Sequence, residues 1–575
     1  MANQTVAELL VQTLAAAGVE RVYGVSGDSL NGITDSIRKQ KQIQWIHMRH
    51  EEAAAFAAGA EAHLTGRLAV CAGSCGPGNL HLINGLYDCH RSRVPVLAIA
   101  AQIPSSEIGS GYFQETHPEQ VFAKCSHYCE LISQAEQMPR SLEIAIQTAL
   151  ARSGVSVIAI PGDIALKDAV GNGPRLHFPP PQPTVCPSAE EIATLAGLLN
   201  KSQKTTILGG AGCVGAHAEL IELASKLNAP IVHAMRGKEI IEHNNPYGVG
   251  MTGLLGFSSG YRAMMSCELL LMLGTDFPYQ QFYPKDATIV QIDIRGEQLG
   301  RRTKVDYGFV GDTKTTLQAL LPKLEQNRDD RHLKASLEHY EKARKGLDDL
   351  ATDGSGKKPI HPQYVVRVLD ELAAEDAIFT CDVGTPTIWA ARYLTMNGKR
   401  RLLGSFNHGS MANALPQAIG AQVSHPGRQV ASLSGDGGLA MLLGDLLSLR
   451  QLEAPVKIIV FKNESLAFVE LEMKAAGIVE FGTDLKDPDF AKLAEAAGLL
   501  GLTAETPDQV RPMIAQALAH AGPALVEVVV SRQELSMPPT ITFEQAKGFS
   551  LFALKAVLSG RGDEIMDLAK VNILR

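Results

Sequence analysis

A glycine-flanked aspartate is the most specific chemical signal in this sequence. The segment from Ser434 to Met441 reads SGDGGLAM, and Asn463 follows later in VFKNESLAF. Both segments come at the C-terminal ends of predicted strands, where open α/β sheets bind their ligands. Glycines let backbone amides approach a diphosphate, while a carboxylate and an amide oxygen are ligands that suit Mg²⁺. The pattern predicts a metal–diphosphate site at Asp436 and Asn463, against the simpler alternative of a helix-capping aspartate.

A second candidate for chemistry is Glu51, which follows the strand-like segment IQWIHM and precedes an alanine-rich helical pattern. A carboxylate at a helix start is commonly just a favourable partner of the helix dipole. The adjacent Glu52 points elsewhere on any helix and is interpreted as structural. Downstream, Gly76-Pro77-Gly78-Asn79 predicts a turn that opens a further helix.

The middle of the chain carries a third glycine pattern. GGAGCVGAH follows the strand-like TTILG and contains Gly210, Gly212 and Gly215 in the spacing GxGxxG. Taken alone this is weak evidence for a nucleotide, because no acidic residue clearly occupies the ribose position about 20 residues further on.

These motifs lie in a regular alternation of short apolar runs and helical patterns, which predicts parallel α/β units. Proline-rich or irregular stretches at 177–187 and 353–363 predict linkers, and Pro538-Pro539 follows the last strand-like run. We therefore predict an α/β fold with three doubly wound parallel-sheet domains and a C-terminal helical tail. The predicted boundaries are 1–182, 183–345, 346–537 and 538–575.

Composition excludes several classes of function. The formal net charge is -8 and no basic block is present, which argues against nucleic-acid binding. The nine cysteines are scattered and odd in number, so a reducing compartment is expected. The pair Cys71 and Cys75 has no second pair beside it, which argues against a zinc site. No run of about 20 apolar residues and no basic leader are seen, so a cytoplasmic protein without membrane spans is expected.

The GDG motif with Asn463 resembles the signature of the thiamine diphosphate-dependent enzyme superfamily, although Lys462 replaces the first asparagine of the usual pair. The resemblance implies that Mg²⁺ is bound by Asp436, Asn463 and the main-chain carbonyl of Ser465, and that Glu51 contacts the aminopyrimidine of the cofactor. The thiamine diphosphate contacts that it implies are Glu51, Gly409, Ser410, Met411, Asp436, Gly437, Gly438, Asn463, Glu464, Ser465, Leu466, Ala467, Phe468 and Val469.

The middle block resembles the FAD-binding segments of the pyruvate oxidases through GMTGLLGFSS, LGTDFPY and IVQIDI. The FAD contacts that this resemblance implies are Thr252, Gly253, Leu254, Leu255, Thr275, Asp276, Phe277, Pro278, Tyr279 and Asp293.

Within the superfamily, the whole chain resembles the quinone-linked pyruvate dehydrogenases, through segments such as GSGYFQETHPEQ and RLLGSFNHGSMANA. The resemblance implies oxidation of pyruvate to acetate and CO₂, with electrons passing through FAD to ubiquinone or another membrane quinone. It places Phe113, Gln114, Phe468 and Glu472 near the substrate, with core packing or a loop hydrogen bond as the alternatives. It also implies a homotetramer whose minimum active unit is a dimer, because the first domain of one subunit and the third domain of another hold the cofactor.

The C-terminal stretch QAKGFSLFALKAVLSG is predicted to form a helix that is apolar on almost every side, and such helices are usually buried. A second segment from Asp563 is amphipathic. From Gln545 onward the chain has five basic and three acidic residues, and this excess of positive charge suits binding to an anionic surface. The resemblance implies release of this tail onto phospholipid at the cytoplasmic face of the inner membrane; permanent docking is the alternative. One helical face carries Phe549, Phe552, Ala553 and Ala556, the opposite face Leu551, Leu554 and Leu558, and the stripe of the second segment Ile565, Leu568, Ala569 and Ile573.

Other reactions of the same superfamily stay open at this point. A non-redox enzyme similar to acetolactate synthase or pyruvate decarboxylase would use the same thiamine site. A phosphate- and oxygen-dependent pyruvate oxidase would use both cofactors without an apolar tail. An inactive homologue is a further alternative, since Lys462 departs from the signature.

Overall fold

Three parallel β-sheets of six strands each form the computed structural model of this chain. The structure describes residues 4–170, 184–356, 358–534 and 543–558, together with residues 565, 566, 568 and 572. The α/β prediction is confirmed, and each strand-like run named above for the glycine motifs lies in or beside a strand.

The sheets follow one another along the chain without sharing strands. The strands of the first sheet are β1 Arg21–Gly24, β2 Gln44–His47, β3 Ala69–Gly73, β4 Val96–Gln102, β5 Tyr128–Leu131 and β6 Val155–Pro161. Those of the middle sheet are β7 Thr205–Gly209, β8 Ile231–His233, β9 Gly248–Met251, β10 Leu269–Leu273, β11 Thr288–Asp293 and β12 Tyr307–Val310. Those of the third sheet are β13 Ile378–Cys381, β14 Arg401–Gly404, β15 Val430–Gly435, β16 Lys457–Lys462, β17 Leu500–Ala504 and β18 Ala524–Val529.

Helices connect these strands on both faces of each sheet. In the first domain they are α1 Val6–Ala16, α2 Asn31–Gln40, α3 Glu51–Thr65, α4 Pro77–Ser92, α5 Pro118–Val121, α6 Met138–Arg152 and α7 Gly162–Ala165. In the middle domain they are α8 Ala189–Lys201, α9 His217–Leu227, α10 Lys238–Ile241, α11 Ser258–Met265, α12 Thr313–Leu320 and α13 Arg331–Leu350. In the third domain they are α14 Pro362–Leu372, α15 Thr385–Tyr393, α16 Ala414–Ser424, α17 Asp436–Met441, α18 Leu446–Gln451, α19 Ala467–Ala475, α20 Phe490–Ala496 and α21 Pro507–Ala519, and α22 Phe543–Leu558 follows.

The strand orders define where ligands can bind. The first sheet has the order β2-β1-β3-β4-β6-β5, and the third sheet repeats it as β14-β13-β15-β16-β18-β17. The middle sheet has the order β12-β11-β10-β7-β8-β9. The order changes direction next to β1, β13 and β7 respectively, and the crevice at such a change is the usual ligand site of open α/β sheets.

Small residues bring the first and third domains together. Helix α3 is rich in alanine, and its residues from Ala53 to Ala58 are fully buried. It packs against α16, where a β-carbon added to Gly420 would lie only 2.1 Å from the carbonyl oxygen of Ala57. A continuous core of buried side chains therefore crosses from one domain to the other.

Helix α13 spans the predicted boundary after residue 345. Near its start, Nε2 of His332 lies 2.8 Å from the hydroxyl of Thr206 in the middle sheet. Near its end, Arg344 donates a hydrogen bond to the carbonyl of Arg392 in the third domain. The other two predicted boundaries, with Pro538-Pro539, lie outside the described residues.

The C-terminal helix α22 packs on the third domain by one face. Phe552 and Ala556 are buried, whereas Leu551 and Leu554 on the opposite side are 42% and 57% exposed. The expectation of a helix buried all round is therefore wrong for its leucine face in this chain. Of the second segment, Ile565 and Leu568 are half-buried, while Ala569 and Ile573 lie outside the described residues. Within the described part of the chain, every helix is too short or too polar to cross a bilayer.

Candidate active site

The carboxylate of Asp436 is held by three backbone amides at the C-terminal edge of the third sheet. Its Oδ2 accepts hydrogen bonds from the amides of Asn463 and Glu464, each at 2.7 Å, and its Oδ1 accepts one from Gly437 at 2.7 Å. The side chain of Asn463 accepts a hydrogen bond from the amide of Ser465 at 3.1 Å. Glu464 has a positive φ of 55°, the turn that directs its amide to Asp436. The two sequence motifs thus form one group of hard oxygen ligands.

The surroundings of Asp436 fit a divalent cation with a diphosphate. Asp487, which the sequence analysis missed, lies beside Asp436, and burial together with the charge of Asp436 raises its pKa to about 7. A cation between such carboxylates relieves their repulsion. A β-carbon on Gly438 would lie 2.4 Å from Oδ2 of Asp382, so this position of the turn requires glycine. Burial also raises the pKa of Asp382 to about 7.

The departure at Lys462 does not remove a ligand from this group. Its ammonium forms an ion pair with Glu527 at 3.2 Å and donates to the carbonyl of Pro488 at 3.0 Å. Glu527 in turn accepts a hydrogen bond from the amide of Phe490 at 2.6 Å. Lys462 therefore anchors the segment that carries Asp487.

The expected loop Gly409, Ser410 and Met411 approaches the same turn. A β-carbon on Gly437 would lie 3.0 Å from Leu466 and 3.5 Å from the terminal methyl of Met411. Gly409 has a positive φ of 84°, a conformation that glycine adopts without strain. The structure thus brings Met411, Gly437 and Leu466 together on one wall, while Val469, also expected there, is 42% exposed on α19.

Glu51 forms a separate group in the first domain. It begins α3 and is 8% exposed, and Nδ1 of His81 lies 3.0 Å from its Oε2. The ring of His81 stacks on that of His50 with centroids 4.4 Å apart. A β-carbon on Gly78 would lie 3.1 Å from Oε1 of Glu51, so the Gly76-Pro77-Gly78 turn faces this carboxyl group.

Sequence reasoning missed His81. Its position in the first turns of α4, directly after the glycine–proline turn, was the available signal. The imidazole is partly exposed and connects the buried carboxyl of Glu51 to the surface.

Gln114 lies against the turn that faces Glu51, whereas Phe113 on the same loop is directed largely to solvent. The thiol of Cys75 donates to Oε1 of Gln114 at 3.3 Å, and a β-carbon on Gly76 would lie 2.8 Å from Cβ of Gln114. Phe113 is 78% exposed. Glu115 fixes the intervening loop, because it accepts hydrogen bonds from backbone amides on that loop.

Phe468 and Glu472 both lie on α19 in the third domain. Phe468 is half-buried and packs on the core of that domain, as the packing alternative expected. Glu472 is exposed, and its charge contributes, after burial, to raising the pKa of Tyr279 in the middle domain. Within the described residues, no hydrogen bond or ion pair connects the Glu51 group to the Asp436 group.

The expected flavin residues gather at the C-terminal edge of the middle sheet. Thr252, Thr275 and Asp293 follow or end β9, β10 and β11 and are all buried. Among the described residues the hydroxyl of Thr252 has no hydrogen-bond partner, and burial raises the pKa of Asp293. An unsatisfied buried hydroxyl is costly, so these groups fit a polar ligand. The remaining expected residues lie on the two loops after β9 and β10, namely Gly253, Leu254, Leu255, Asp276, Phe277, Pro278 and Tyr279.

Side chains from the other two domains hold these loops. Arg392 of the third domain donates to the carbonyl of Leu255 at 3.0 Å. Asp276 binds Arg302 through both carboxylate oxygens, at 2.6 and 3.1 Å, and lies 3.7 Å from Arg93 of the first domain. The three domains thus meet at this crevice, which the sequence analysis did not foresee.

Two of the three GxGxxG glycines, Gly210 and Gly212, serve chain packing. A β-carbon on Gly210 or on Gly212 would lie 2.6 Å from backbone atoms of Gly274. These glycines let the segments after β7 and β10 touch, which agrees with the low weight given to the pattern.

Models of one enzyme family match all three domains. The thiamine pyrophosphate enzyme, N-terminal TPP binding domain, matches residues 4–121. The central domain of the same family matches residues 192–320. The C-terminal TPP binding domain matches residues 382–528.

Relatives align along nearly the whole chain. A putative thiamine pyrophosphate-containing protein of Bacillus subtilis is 36% identical over 99% of both chains. A pyruvate oxidase of Lactiplantibacillus plantarum is 30% identical over 91% of this chain and 88% of its own. An acetolactate synthase of Mycobacterium bovis is 28% identical over 92% of this chain and 88% of its own.

Proposed function

The chain belongs to the thiamine pyrophosphate enzymes, and we propose that it oxidises pyruvate to acetate and CO₂ and delivers two electrons through FAD to a membrane quinone such as ubiquinone. The observation that carries this proposal is that the flavin-type loops and α19 adjoin the same core of the third domain, against which Leu255 and Phe468 both pack. Glu472 of α19 lies close enough to Tyr279 to affect its pKa. A residue expected at the substrate therefore adjoins the loop expected to hold an electron acceptor.

The residues of the third domain fit thiamine diphosphate with Mg²⁺. Asp436, Asn463 and the carbonyl of Ser465 would bind the ion, and the turn at Gly437 would admit the diphosphate. When bound, this cofactor supplies the electron sink that loss of CO₂ from a 2-oxo acid requires. The role of the chain is to orient the pyruvate and to exclude water from it.

Glu51 is the group that would hold and move a proton at the aminopyrimidine. Its carboxyl is buried, which suits a side chain that must exist in both protonation states. His81 touches Oε2 of Glu51 and reaches the surface, so its imidazole provides an exit for that proton. Gln114 lies beside the same turn and offers a polar contact for the pyruvate carboxylate.

The middle domain fits a flavin. Thr252, Thr275 and Asp293 would bind its polar groups, and Asp276 with Arg302 holds the neighbouring loop. When bound, FAD accepts two electrons and can pass them on to a quinone. The relative named pyruvate oxidase, aligned over 91% of this chain, supports an oxidation of pyruvate, which requires an electron acceptor of this kind.

The proposed active unit contains at least two chains. The Glu51 and Asp436 groups are not linked by any hydrogen bond within the described part of one chain, although both are expected to contact the same cofactor. A partner chain that brings its third domain to this first domain would complete the site. We propose a homotetramer built from such dimers.

The C-terminal tail is proposed to attach the protein to phospholipid on the cytoplasmic side of the inner membrane. Its docked face buries Phe552 and Ala556; the ring of Phe552 lies under the ammonium of Lys474 at 5.5 Å, and Lys555 donates to the carbonyl of Gly477 at 2.7 Å. Leu551 and Leu554 are exposed, so the opposite face already offers apolar surface. A quinone dissolves in the bilayer, which gives membrane attachment a purpose.

Product analysis tests the reaction. Purified protein with thiamine diphosphate, Mg²⁺ and FAD is given pyruvate and a quinone, and the products are measured with and without phospholipid vesicles. Acetate with one quinone reduced per CO₂ is the expected result. Acetolactate or acetaldehyde would contradict it in favour of the synthase or decarboxylase alternative, acetyl phosphate in favour of the phosphate-dependent oxidase, and no turnover in favour of an inactive homologue.

Truncation before Pro538 tests the tail. The truncated protein should still turn over with a water-soluble electron acceptor but lose vesicle binding and quinone reduction. Equal vesicle binding by the two forms would overturn the membrane proposal and leave the reaction untouched.

A further inference from the structure

The loop at residues 405–411, named here the cofactor loop, is held by a helix of another domain. In α4, the carboxylate of Asp88 accepts a 2.8 Å hydrogen bond from the hydroxyl of Ser405. The oxygen of that hydroxyl in turn accepts a 3.0 Å hydrogen bond from the backbone amide of Ser410. Asn84 donates a 2.8 Å hydrogen bond to the side-chain oxygen of Ser410. Both ends of the loop are therefore bonded to the first domain.

Further contacts close the same interface. Nε2 of His408 lies 2.8 Å from Oδ1 of Asn84, and its ring stacks on Tyr87 at 5.7 Å. Asn407 donates to the carbonyl of Arg91 at 3.1 Å. The loop thus contacts α4 from Asn84 to Arg91.

Asn84 and Asp88 are four residues apart, so they lie on one face of α4. The same helix begins at Gly76-Pro77-Gly78, the turn that faces Glu51. Helix α4 is about 24 Å long. The turn lies at its N-terminal end, and the contacts with the cofactor loop extend toward its C-terminal end. A single rigid element therefore connects the turn that faces Glu51 with the cofactor loop, and in the proposed dimer these two parts of one chain belong to two neighbouring cofactor sites.

Asp88 has a buried environment that makes it dependent on these partners. It is 4% exposed, and its second oxygen accepts a hydrogen bond from Gln417 of α16 at 3.3 Å. A buried carboxylate is costly unless its oxygens are hydrogen-bonded, so the position of Ser405 is determined closely. The φ of 65° at Ala412, where the loop ends, shows that the chain leaves it by a constrained turn.

We propose that Asn84 and Asp88 are positioning residues for thiamine diphosphate, which act through Ser405 and Ser410 to hold Met411 at the cofactor. This inference rests on the proposed function for the role of the cofactor loop. The competing explanation is that these hydrogen bonds only join the two domains. The two explanations differ in whether coenzyme affinity or only folding stability changes when the bonds are removed.

The experiment compares Asn84→Ala, Ser405→Ala and Asn397→Ala in the full chain. Asn84 makes three side-chain hydrogen bonds, with Glu52, Ser410 and His408. Asn397 likewise makes three, all within the third domain and away from the cofactor loop, and serves as the matched control. The probe is thiamine diphosphate with Mg²⁺, whose Kd is measured by calorimetry, beside urea unfolding of each protein. Ser405→Ala removes one hydroxyl and stays informative if Asn84→Ala does not fold.

The expected result is a Kd about tenfold higher for Asn84→Ala and for Ser405→Ala, the lower end of what outer contacts to a bound centre contribute. Asn397→Ala should keep the Kd of the unmodified protein. In a double-mutant cycle, Asn84→Ala and Ser410→Ala should show non-additive effects on log Kd because they remove the same hydrogen bond.

An unchanged Kd in Asn84→Ala and Ser405→Ala, with lowered stability as in the control, would overturn the inference. Additive effects in the cycle would overturn it as well. If the unmodified protein itself binds no thiamine diphosphate, the proposed function fails, and this outcome is distinct because all variants then behave alike.

Discussion

Gly420 of α16 lies so close to Ala57 of α3 that a β-carbon would meet the carbonyl oxygen of Ala57 at 2.1 Å. Two further backbone atoms of Ala57 would lie within 2.8 Å. Backbone atoms cannot turn aside as a flexible side chain can. The separation of the first and third domains is therefore determined by the absence of a single methyl group.

Gly420→Ala should destabilise the protein by about 3 kcal/mol or more, because the two helices must move apart and open the packed core between them. Gly427→Ala is the matched control, since no atom lies within 4 Å of its added β-carbon. That variant should stay within about 0.5 kcal/mol of the unmodified protein. Urea unfolding measures both, and similar midpoints for the two variants would refute the packing argument.

Glu51→Gln should lower kcat by about 10²- to 10⁴-fold, the usual contribution of a general acid–base group. The amide has nearly the same shape but cannot exchange a proton, so coenzyme affinity should change little. His81→Gln should show a smaller loss of kcat, because water can replace an exit path but not the carboxyl group itself. Steady-state turnover with pyruvate measures both, and a Glu51→Gln variant as active as the unmodified protein would remove Glu51 from the mechanism.

Asp436→Asn should weaken Mg²⁺ binding by at least the roughly 10- to 100-fold that partners outside the ligand set contribute. The amide keeps the size of the side chain but loses the charge that the ion requires. Asp508 is an exposed aspartate in the first turn of α21. Asp508→Asn is therefore the control and should depend on magnesium as the unmodified protein does. Turnover measured against free Mg²⁺ after chelation reports the difference. Identical magnesium curves for the two variants would contradict the assignment.

The free energy of unfolding should decrease as the pH falls below 6.5, and His233 should contribute to this decrease. Complete burial, assisted by the charge of Lys238, lowers the pKa of His233 from 6.5 to about 3. Below pH 6.5 the unfolded chain binds a proton there that the folded chain does not bind, so unfolding becomes more favourable as the pH falls.

The contribution of this histidine is at most about 1.4 kcal/mol per pH unit. His233→Asn retains a donor toward the carbonyl of Ala234 but does not titrate. Urea unfolding at about pH 6.5 and about pH 4.5 should therefore show a shallower loss of stability in the variant. Parallel pH profiles would show that His233 carries no such linkage.

Alanine substitutions on the two faces of α22 should have opposite effects on binding to phospholipid vesicles. Phe552→Ala removes the buried ring under Lys474 and should loosen the tail, so that binding to phospholipid vesicles rises. Leu554→Ala removes apolar surface from a residue that is 57% exposed, so vesicle binding should fall without any effect on docking. Vesicle sedimentation with limited proteolysis of the tail distinguishes them, and equal changes in both variants would contradict a docked face and a free face.

The metal-binding group could be predicted because its ligands come from two short motifs at the ends of neighbouring strands. Strands β15 and β16 are parallel and paired, so Asp436 and Asn463 had to meet once the sheet was recognised. Asp487 could not be found in this way, since it lies in an irregular segment that Lys462 and Glu527 hold in place. Its contribution depends on tertiary contacts with no local pattern.

Contacts between domains were beyond sequence reasoning for the same reason. Asp88 and Ser405 are 317 residues apart and carry no motif. The tail shows an intermediate case, because helical periodicity grouped Phe552 with Ala556 and both are buried. The periodicity could not show that α19 offers a single wall, which leaves Leu551 and Leu554 exposed.

The three amides around Asp436 have a consequence for how the metal centre is assembled. All of them belong to the protein, so the direction of the carboxylate is a property of the folded chain. The side chain loses its conformational entropy during folding, so binding of the ion carries no further entropic cost for ordering it. Mg²⁺ gives up its water reluctantly. Loading of an empty centre then requires dehydration of the ion but no reorientation of this carboxylate.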